Sequence, residues 1–322
     1  MRRRRLLWIS AVIMLLTVFS ILTSYWLPGM NAEENVVMAV EFNDHSAAFW
    51  VALDKGFFKQ EGVNITFLKV FKTGLELAAA LTRGDVQVGW ACLGPTIMAY
   101  SRGVPIKIVA ETHLHGYAIL SRPEIRRISQ LNGKVVGCPG KGSPCYLLLK
   151  MVIEKYNLSD VQVKKMPPYM MLNALLAGQI DAAAMPEHYA TLAELKGFNV
   201  LVRSQDIWPS MPGSILFIRE DFLERNPELV LKLVKITKRA TEYINSHFNE
   251  SAEIVSRHLG ITFDQAYRSM LNLDYSTQID LDQIQRYVDF MIRYGALQKR
   301  IDPRDLIDLR FLEEVEQDES VK

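Results

Sequence analysis

Between residues 36 and about 218 the chain alternates short apolar runs with amphipathic stretches; beyond that, apolar positions recur almost only at helical spacing. Val36-Val37-Met38-Ala39-Val40 is an unbroken apolar run of strand length, the pattern of a strand covered on both faces. A polar segment, 41–46, follows, and helix signals run from Ala47 to about Lys59 before Gly62 ends the unit. Residues 63–70 alternate as a second strand. Thr73-Gly74 opens an alanine-rich helix reaching Arg83, residues 86–90 form a strand, a helix covers about 96–102, and 106–110 make another strand. Strands alternating with helices predict parallel βαβ units.

The series then restarts, with strands at 135–137, 161–163 and 180–184 and helices at 143–156 and 170–177. Leu77, Ala80, Leu81, Gly84 and Val86 correspond to Met171, Ala174, Leu175, Gly178 and Ile180 at a constant offset of 94, each set reading as a helix stopped by glycine before a strand. One more strand is expected at 212–219. Helices follow at about 221–223, 227–249, 251–259, 263–271 and 281–294, and nothing after Ile218 reads as a strand. The expected fold class is therefore α/β with two lobes of like topology. Packing the C-terminal helices on the first lobe makes it discontinuous, 31–116 with 210–322, around a second lobe of 117–209. Two crossings, near 112–117 and 204–212, would let the pair close like a hinge.

The first thirty residues differ. Arg2 to Arg5 precede an uncharged run, 6–27, of 22 residues, roughly 33 Å as a helix and long enough to cross a bilayer. The arginines place the N-terminus inside and the rest outside. The run exceeds a secretory h-region and ends in Tyr25-Trp26-Leu27 rather than small residues, so an uncleaved single-pass membrane anchor is expected, with the soluble part extracytoplasmic. Without residues 1–29 the chain carries 33 basic and 36 acidic side chains, a balance that excludes a nucleic-acid partner.

In open parallel sheets ligands collect beyond the C-terminal strand ends, beside helix N-termini. That rule selects the loops 42–46, 72–74, 91–96, 140–143 and 185–188. Gly140-Lys141-Gly142-Ser143 and Thr73-Gly74 read either as plain helix caps or as anion-binding helix starts. Lys141 precedes Gly142 rather than Ser or Thr, so the first is not a Walker loop. His188 stands at a strand edge, and Phe42, Trp90, Tyr117 and Trp208 lie near the proposed cleft. His113-Leu114-His115 lacks further ligands at a metal-binding spacing, so no metal is expected. Cys92, Cys138 and Cys145 give neither a zinc site nor a disulfide framework; Cys138 and Cys145 either pair across their Gly-Pro loop or stay as small buried thiols. No nucleophile elbow, His-Glu-x-x-His or distinctive carboxylate pair is present, so no catalytic residue and no cofactor is expected.

Several segments together carry a resemblance: residues 52–62 (ALDKGFFKQEG), 81–89 (LTRGDVQVG), 131–137 (LNGKVVG), Met166-Pro167-Pro168, 177–183 (AGQIDAA), Asp206-Ile207-Trp208-Pro209 and 222–228 (FLERNPE). In this order they resemble the nitrate, sulfonate, taurine and bicarbonate group of ABC-importer solute-binding proteins, with its thiamine-pyrimidine-precursor relatives. The resemblance spans about 36–315. It implies a periplasmic-binding-protein-like fold of the second type, a small and anionic solute of sulfonate, nitrate or taurine kind, a permease with its ATPase subunits as partners, and a monomer. The contacts it implies are Asn43 and His45, Thr73, Cys92 and Gly94, Gly142 and Ser143, and Glu187; the strand-end reading adds Phe42, Gly74, Gly140 and His188 to the expected contacts. Met185-Pro186-Glu187-His188 departs from the Trp-Glu-Pro-Tyr of many relatives, and the cysteine-rich motif of the pyrimidine-forming enzymes is absent. A same-fold enzyme and a ligand-sensing ectodomain are the alternatives.

Overall fold

Repeated helix–glycine–strand units become two sheets of like order in the structure, a computed structural model that describes residues 36–320. The apolar run 6–27, with the anchor read from it, lies outside the described residues. Among the described residues no helix is long and apolar enough to cross a membrane.

In chain order the elements of the first part are β1 (Val37–Glu41), α1 (Ala47–Asp54), α2 (Phe57–Gln60), β2 (Phe67–Phe71), α3 (Gly74–Thr82), β3 (Val88–Cys92), α4 (Leu93–Ser101) and β4 (Ile106–His115). The middle part comprises β5 (Tyr117–Ser121), β6 (Val135–Cys138), α5 (Pro144–Lys155), β7 (Gln162–Lys165), α6 (Pro168–Leu176), β8 (Ala182–Pro186), α7 (Glu187–Glu194), β9 (Asn199–Arg203) and α8 (Ser204–Ile207). The last part holds β10 (Pro212–Arg219), α9 (Glu220–Arg225), α10 (Pro227–Ser246), α11 (Phe248–Leu259), α12 (Phe263–Met270), β11 (Leu273–Asp274), α13 (Leu281–Arg293), α14 (Pro303–Leu306) and α15 (Arg310–Ser320).

One sheet runs β11-β4-β10-β3-β1-β2 and the other β7-β6-β8-β5-β9. In the first, β1 is parallel to β2 and β3, and β10 lies antiparallel between β3 and β4. In the second, β6 is parallel to β7 and β8, and β5 lies antiparallel between β8 and β9. Each sheet is thus completed by an antiparallel strand that the chain enters directly after leaving the other sheet. The offset of 94 extends beyond the residues that suggested it: α3 starts at 74 and α6 at 168, β3 spans 88–92 and β8 spans 182–186. Gly84 (φ 81°) and Gly178 (φ 67°) take the left-handed conformation that ends both helices at no steric cost.

Two expectations change. Leu273–Asp274 is a strand after Ile218, paired with β4 at His115 and Leu114; two residues carry no readable period, and the pairing partner supplies the conformation. The segment 185–188 is no loop, because β8 runs through Pro186 and α7 begins at once with Glu187. β5 and β9 were not anticipated.

The core is apolar on both faces of each sheet. α10 buries Val230, Leu233, Val234, Thr237, Ala240, Thr241 and Ile244 along one stripe. Trp90 is enclosed beneath it, its Nε1 donating to Thr237 Oγ1 at 3.2 Å. Gly89 of β3 has no room for a side chain: an added Cβ would lie 2.6 Å from the Phe217 ring and 3.2 Å from the Ala39 carbonyl oxygen. Gly89→Ala is expected to cost about 1–3 kcal/mol through this overpacking, read as a lower urea midpoint at unchanged m-value.

Candidate functional site

A cavity of about 40 Å³ lies between the sheets at the C-terminal strand ends, room for about three waters. From the first sheet's side it is lined by Glu41, Asn43, Thr73, Gly74, Cys92 and Pro95. Tyr117, Ser143, Cys145, Pro168, Pro186 and Tyr189 close it from the other.

Glu41 ends β1 and is 2% exposed. Its Oε1 accepts the Cys92 N–H at 2.6 Å, and its Oε2 accepts from Asn43 Nδ2 at 3.0 Å and Cys92 Sγ at 3.3 Å. The Gly74 N–H, first of α3, also bonds to this carboxylate. Burial pushes the Glu41 carboxyl above its ordinary range, with these donors opposing.

The two expected anion loops are self-capped. Thr73 Oγ1 accepts the Glu76 N–H at 3.2 Å. Ser143 Oγ accepts the Tyr146 N–H at 3.1 Å and donates to the Gly140 carbonyl at 2.8 Å. Gly140 (φ 113°) and Gly142 (φ 86°) supply the turn into α5.

Cys92 Sγ sits 3.7 Å from His45 Nδ1, which invites comparison with a nucleophilic Cys–His pair. Burial drives the thiol well up and His45 down to about 4, so both groups are held neutral and no thiolate forms. Cys138 and Cys145 are unpaired, buried thiols, and the alternative in which they form a disulfide is set aside.

Asn43, Thr73, Gly74, Cys92 and Ser143 of the expected contacts line the cavity; the other seven do not. Phe42 packs half-buried against the α10 core. Gly94 and Gly142 face one another across the sheets, and a Cβ on Gly94 would lie 2.4 Å from the Gly142 carbonyl oxygen. Gly140 abuts the Lys165 side chain. His45, Glu187 and His188 belong instead to a second buried polar group centred on Asp44. The Asp44 carboxylate accepts from Ser269 Oγ at 2.6 Å and takes the His188 N–H at the start of α7. Its Oδ1 stands 3.7 Å from His188 Nδ1. His45 Nε2 donates to the Gly116 carbonyl at 2.9 Å, at the crossing from β4 to β5. Glu187 Oε1 is held by Arg203 Nη1 at 2.6 Å, Asn272 Nδ2 at 2.9 Å and Thr191 Oγ1 at 3.0 Å. Burial and the neighbouring Asp44 push the Glu187 carboxyl up to about 8 against the opposing Arg203, and burial holds His188 at about 4.

His113 and His115 diverge, the first beside the His45 ring at 4.6 Å, the second bonded to Asp274 Oδ2 at 3.1 Å from a left-handed backbone. Among the described residues no group of three His, Cys, Asp or Glu is placed to hold a metal ion. Trp90 and Trp208 are core residues, whereas Tyr117 lines the cavity. Glu41, Tyr189 and Arg203 escaped the sequence reading, and Asp44 fell within the selected loop 42–46 without being singled out; a charged residue ending an apolar strand was the available sign for Glu41.

Two α/β sheets, each completed by a strand arriving from the other and meeting at a small half-open cavity, define a periplasmic-binding-protein-like fold. The ligand-binding component of an ABC-type import system from Staphylococcus aureus, crystallised with zinc, superposes with a TM-score of 0.79 at 19% identity, covering 87% of this chain and 98% of that one. The chain belongs to the NMT1-like family, which it matches over residues 31–259. A Brucella abortus relative named as a binding protein is 24% identical over 305 residues, 87% of this chain and 92% of its own length. The taurine-binding periplasmic protein of Escherichia coli is 27% identical over 207 residues, 62% of this chain and 63% of its own length.

Proposed function

We propose that this chain is the solute-binding component of an ATP-driven importer. It encloses a small solute in the cavity between its sheets and hands it to a membrane permease with associated ATPase subunits. Residues 31–116 with 210–322 act as one lobe and 117–209 as the other, hinged at Gly116 and at 204–212. The chain works as a monomer on the extracytoplasmic face, held there by residues 6–27. The observation that carries this reading is the half-open cavity at the strand ends, lined from both sheets, with Gly94 seated against Gly142 where the two sheets' elements touch. The names of the Staphylococcus aureus and Escherichia coli relatives support it. A sulfonate- or nitrate-like solute, as the resemblance implies, needs free N–H and O–H donors at those strand ends; the Gly74 N–H is given within the chain, to Glu41.

Titration calorimetry and solution scattering on the full-length chain test this. A panel of taurine, ethanesulfonate, nitrate, bicarbonate, imidazole and guanidinium should contain a solute that binds one to one near or below about 1 μM, about 8 kcal/mol, and lowers the radius of gyration. Binding without compaction, or none across such a panel and its close analogues, sinks the reading.

A further inference from the structure

Two backbone donors that would greet an oxyanion in the cavity are already engaged. The Gly74 N–H at the start of α3 and the Cys92 N–H at the end of β3 converge on the Glu41 carboxylate. A Cβ on Gly74 would lie 2.5 Å from Glu41 Oε1, so this carboxylate fills the space directly over the helix start. On the facing side α5 begins with Pro144, which has no N–H, and its Tyr146 N–H goes to Ser143 Oγ. α6 begins after Pro167 with Pro168. Lys72 is the one basic side chain among the lining residues; it is exposed, its Nζ 5.3 Å over the Tyr169 ring.

What the cavity does offer is an acceptor. Asn43 is 4% exposed and lines the cavity, and its Oδ1 meets no donor from the protein. Its orientation is fixed, because Nδ2 donates to Glu41 Oε2. A buried acceptor left unpaired is costly, and a ligand N–H recovers that cost. The remaining walls, Tyr117, Tyr189 and prolines, are apolar and flat and suit a neutral or cationic partner.

We propose that Glu41 is a built-in occupant of the oxyanion position and sets the solute class: the cavity takes a small neutral or cationic molecule that donates an N–H to Asn43 Oδ1, and refuses nitrate and sulfonates. The proposal rests on the solute-binding reading above. A carboxylate with its donors satisfied blocks the place over the α3 start by volume, and by charge when ionised, so an oxyanion there meets repulsion without the Gly74 and Cys92 N–H groups in return.

The test uses the full-length chain in thermal-shift and calorimetric titrations. Nitrate and ethanesulfonate should raise the native melting temperature no more than chloride at equal ionic strength. Imidazole, acetamidine or guanidinium should bind, and Asn43→Ala should weaken that binding at least tenfold. Glu41→Ala strands two buried N–H groups and melts lower; formate or nitrate at millimolar concentration should restore it by entering the vacated place. Glu41→Ser is the second variant if Glu41→Ala does not fold, its hydroxyl serving one stranded N–H. Native binding of nitrate or ethanesulfonate in preference to the N–H solutes overturns this proposal alone. Silence of the native chain to both classes overturns the solute-binding reading beneath it, whichever way the Glu41 variants behave.

Discussion

Gly94→Ala is expected to fold and melt near the native chain, yet to bind its solute between tenfold and a hundredfold more weakly. Gly94 lies in the first turn of α4, where Ala is the better helix former, so the isolated helix loses nothing. The added methyl carbon points at the other sheet's loop, 2.4 Å from the Gly142 carbonyl oxygen and 2.9 Å from the Tyr287 hydroxyl. Carbon and oxygen need roughly an ångström more, and the obstacle on one side is backbone. The Gly142 clash strains the closed arrangement and is relieved in the open one, whereas the Tyr287 contact lies within the lobe of Gly94 and is common to both; a penalty on one state of a pair lowers apparent affinity by the population it removes. A loss of about 1.4–2.7 kcal/mol corresponds to the stated range. Calorimetry reads the affinity, and scattering should show a chain that stays extended at solute concentrations that compact the native one. Native affinity in the variant would mean that this contact does not limit closure.

Acidification is expected to bring the second large effect. His45 and His188 hold pKa values of about 4 in the folded chain, against an ordinary 6.5. Between these values the unfolded chain binds a proton at each site that the folded chain refuses. The associated stability is fully present above pH 6.5 and is lost as pH falls toward 4, about 3 kcal/mol per histidine. Glu187, pushed to about 8, and Asp44, raised by burial, work in the opposite sense by taking up protons in the folded state first. Stability should therefore fall below about pH 4.5, where Glu187 is protonated in both states and the two rings still take up protons on unfolding. Urea unfolding from pH 8 to 4 measures the curve, and His188→Gln should flatten its acid limb. A native limb with no slope below about pH 4.5 would contradict the buried neutral state assigned to these rings.

Periodicity and punctuation made most of the fold legible. The 94-residue offset was visible because glycine stops and small apolar residues on α3 and α6 serve the same packing in both sheets. β5 and β9 were hidden for a different reason. β5 follows a crossing rather than a turn, and β9 leads into one, flanked by no glycine or proline at its C-terminal end, where Arg203 passes straight into α8. Strand-end rules led correctly to the region of the cavity, and five named residues line it. They could not say which end groups were already spent. Whether the α3 start is open to a ligand depends on Glu41, 33 residues earlier, folding back over Gly74. His188 reads as a cleft donor until Asp44 and His45 are seen to enclose it. Such outcomes are set by tertiary proximity, which local patterning does not encode.

β2 forms one margin of its sheet, and there Phe67 is 52% exposed and Val70 47%. An open strand with outward apolar side chains invites a second chain to add itself alongside. Lys69 stands in the middle of that strand, tied to the Asp85 carbonyl at 3.1 Å, and is the one charge interrupting Phe-Leu-Lys-Val-Phe. The corresponding margin of the other sheet, β7, carries Lys164 and Lys165 together. Resistance to clumping in a crowded compartment thus falls unevenly on the molecule, and at β2 it falls on a single ammonium group.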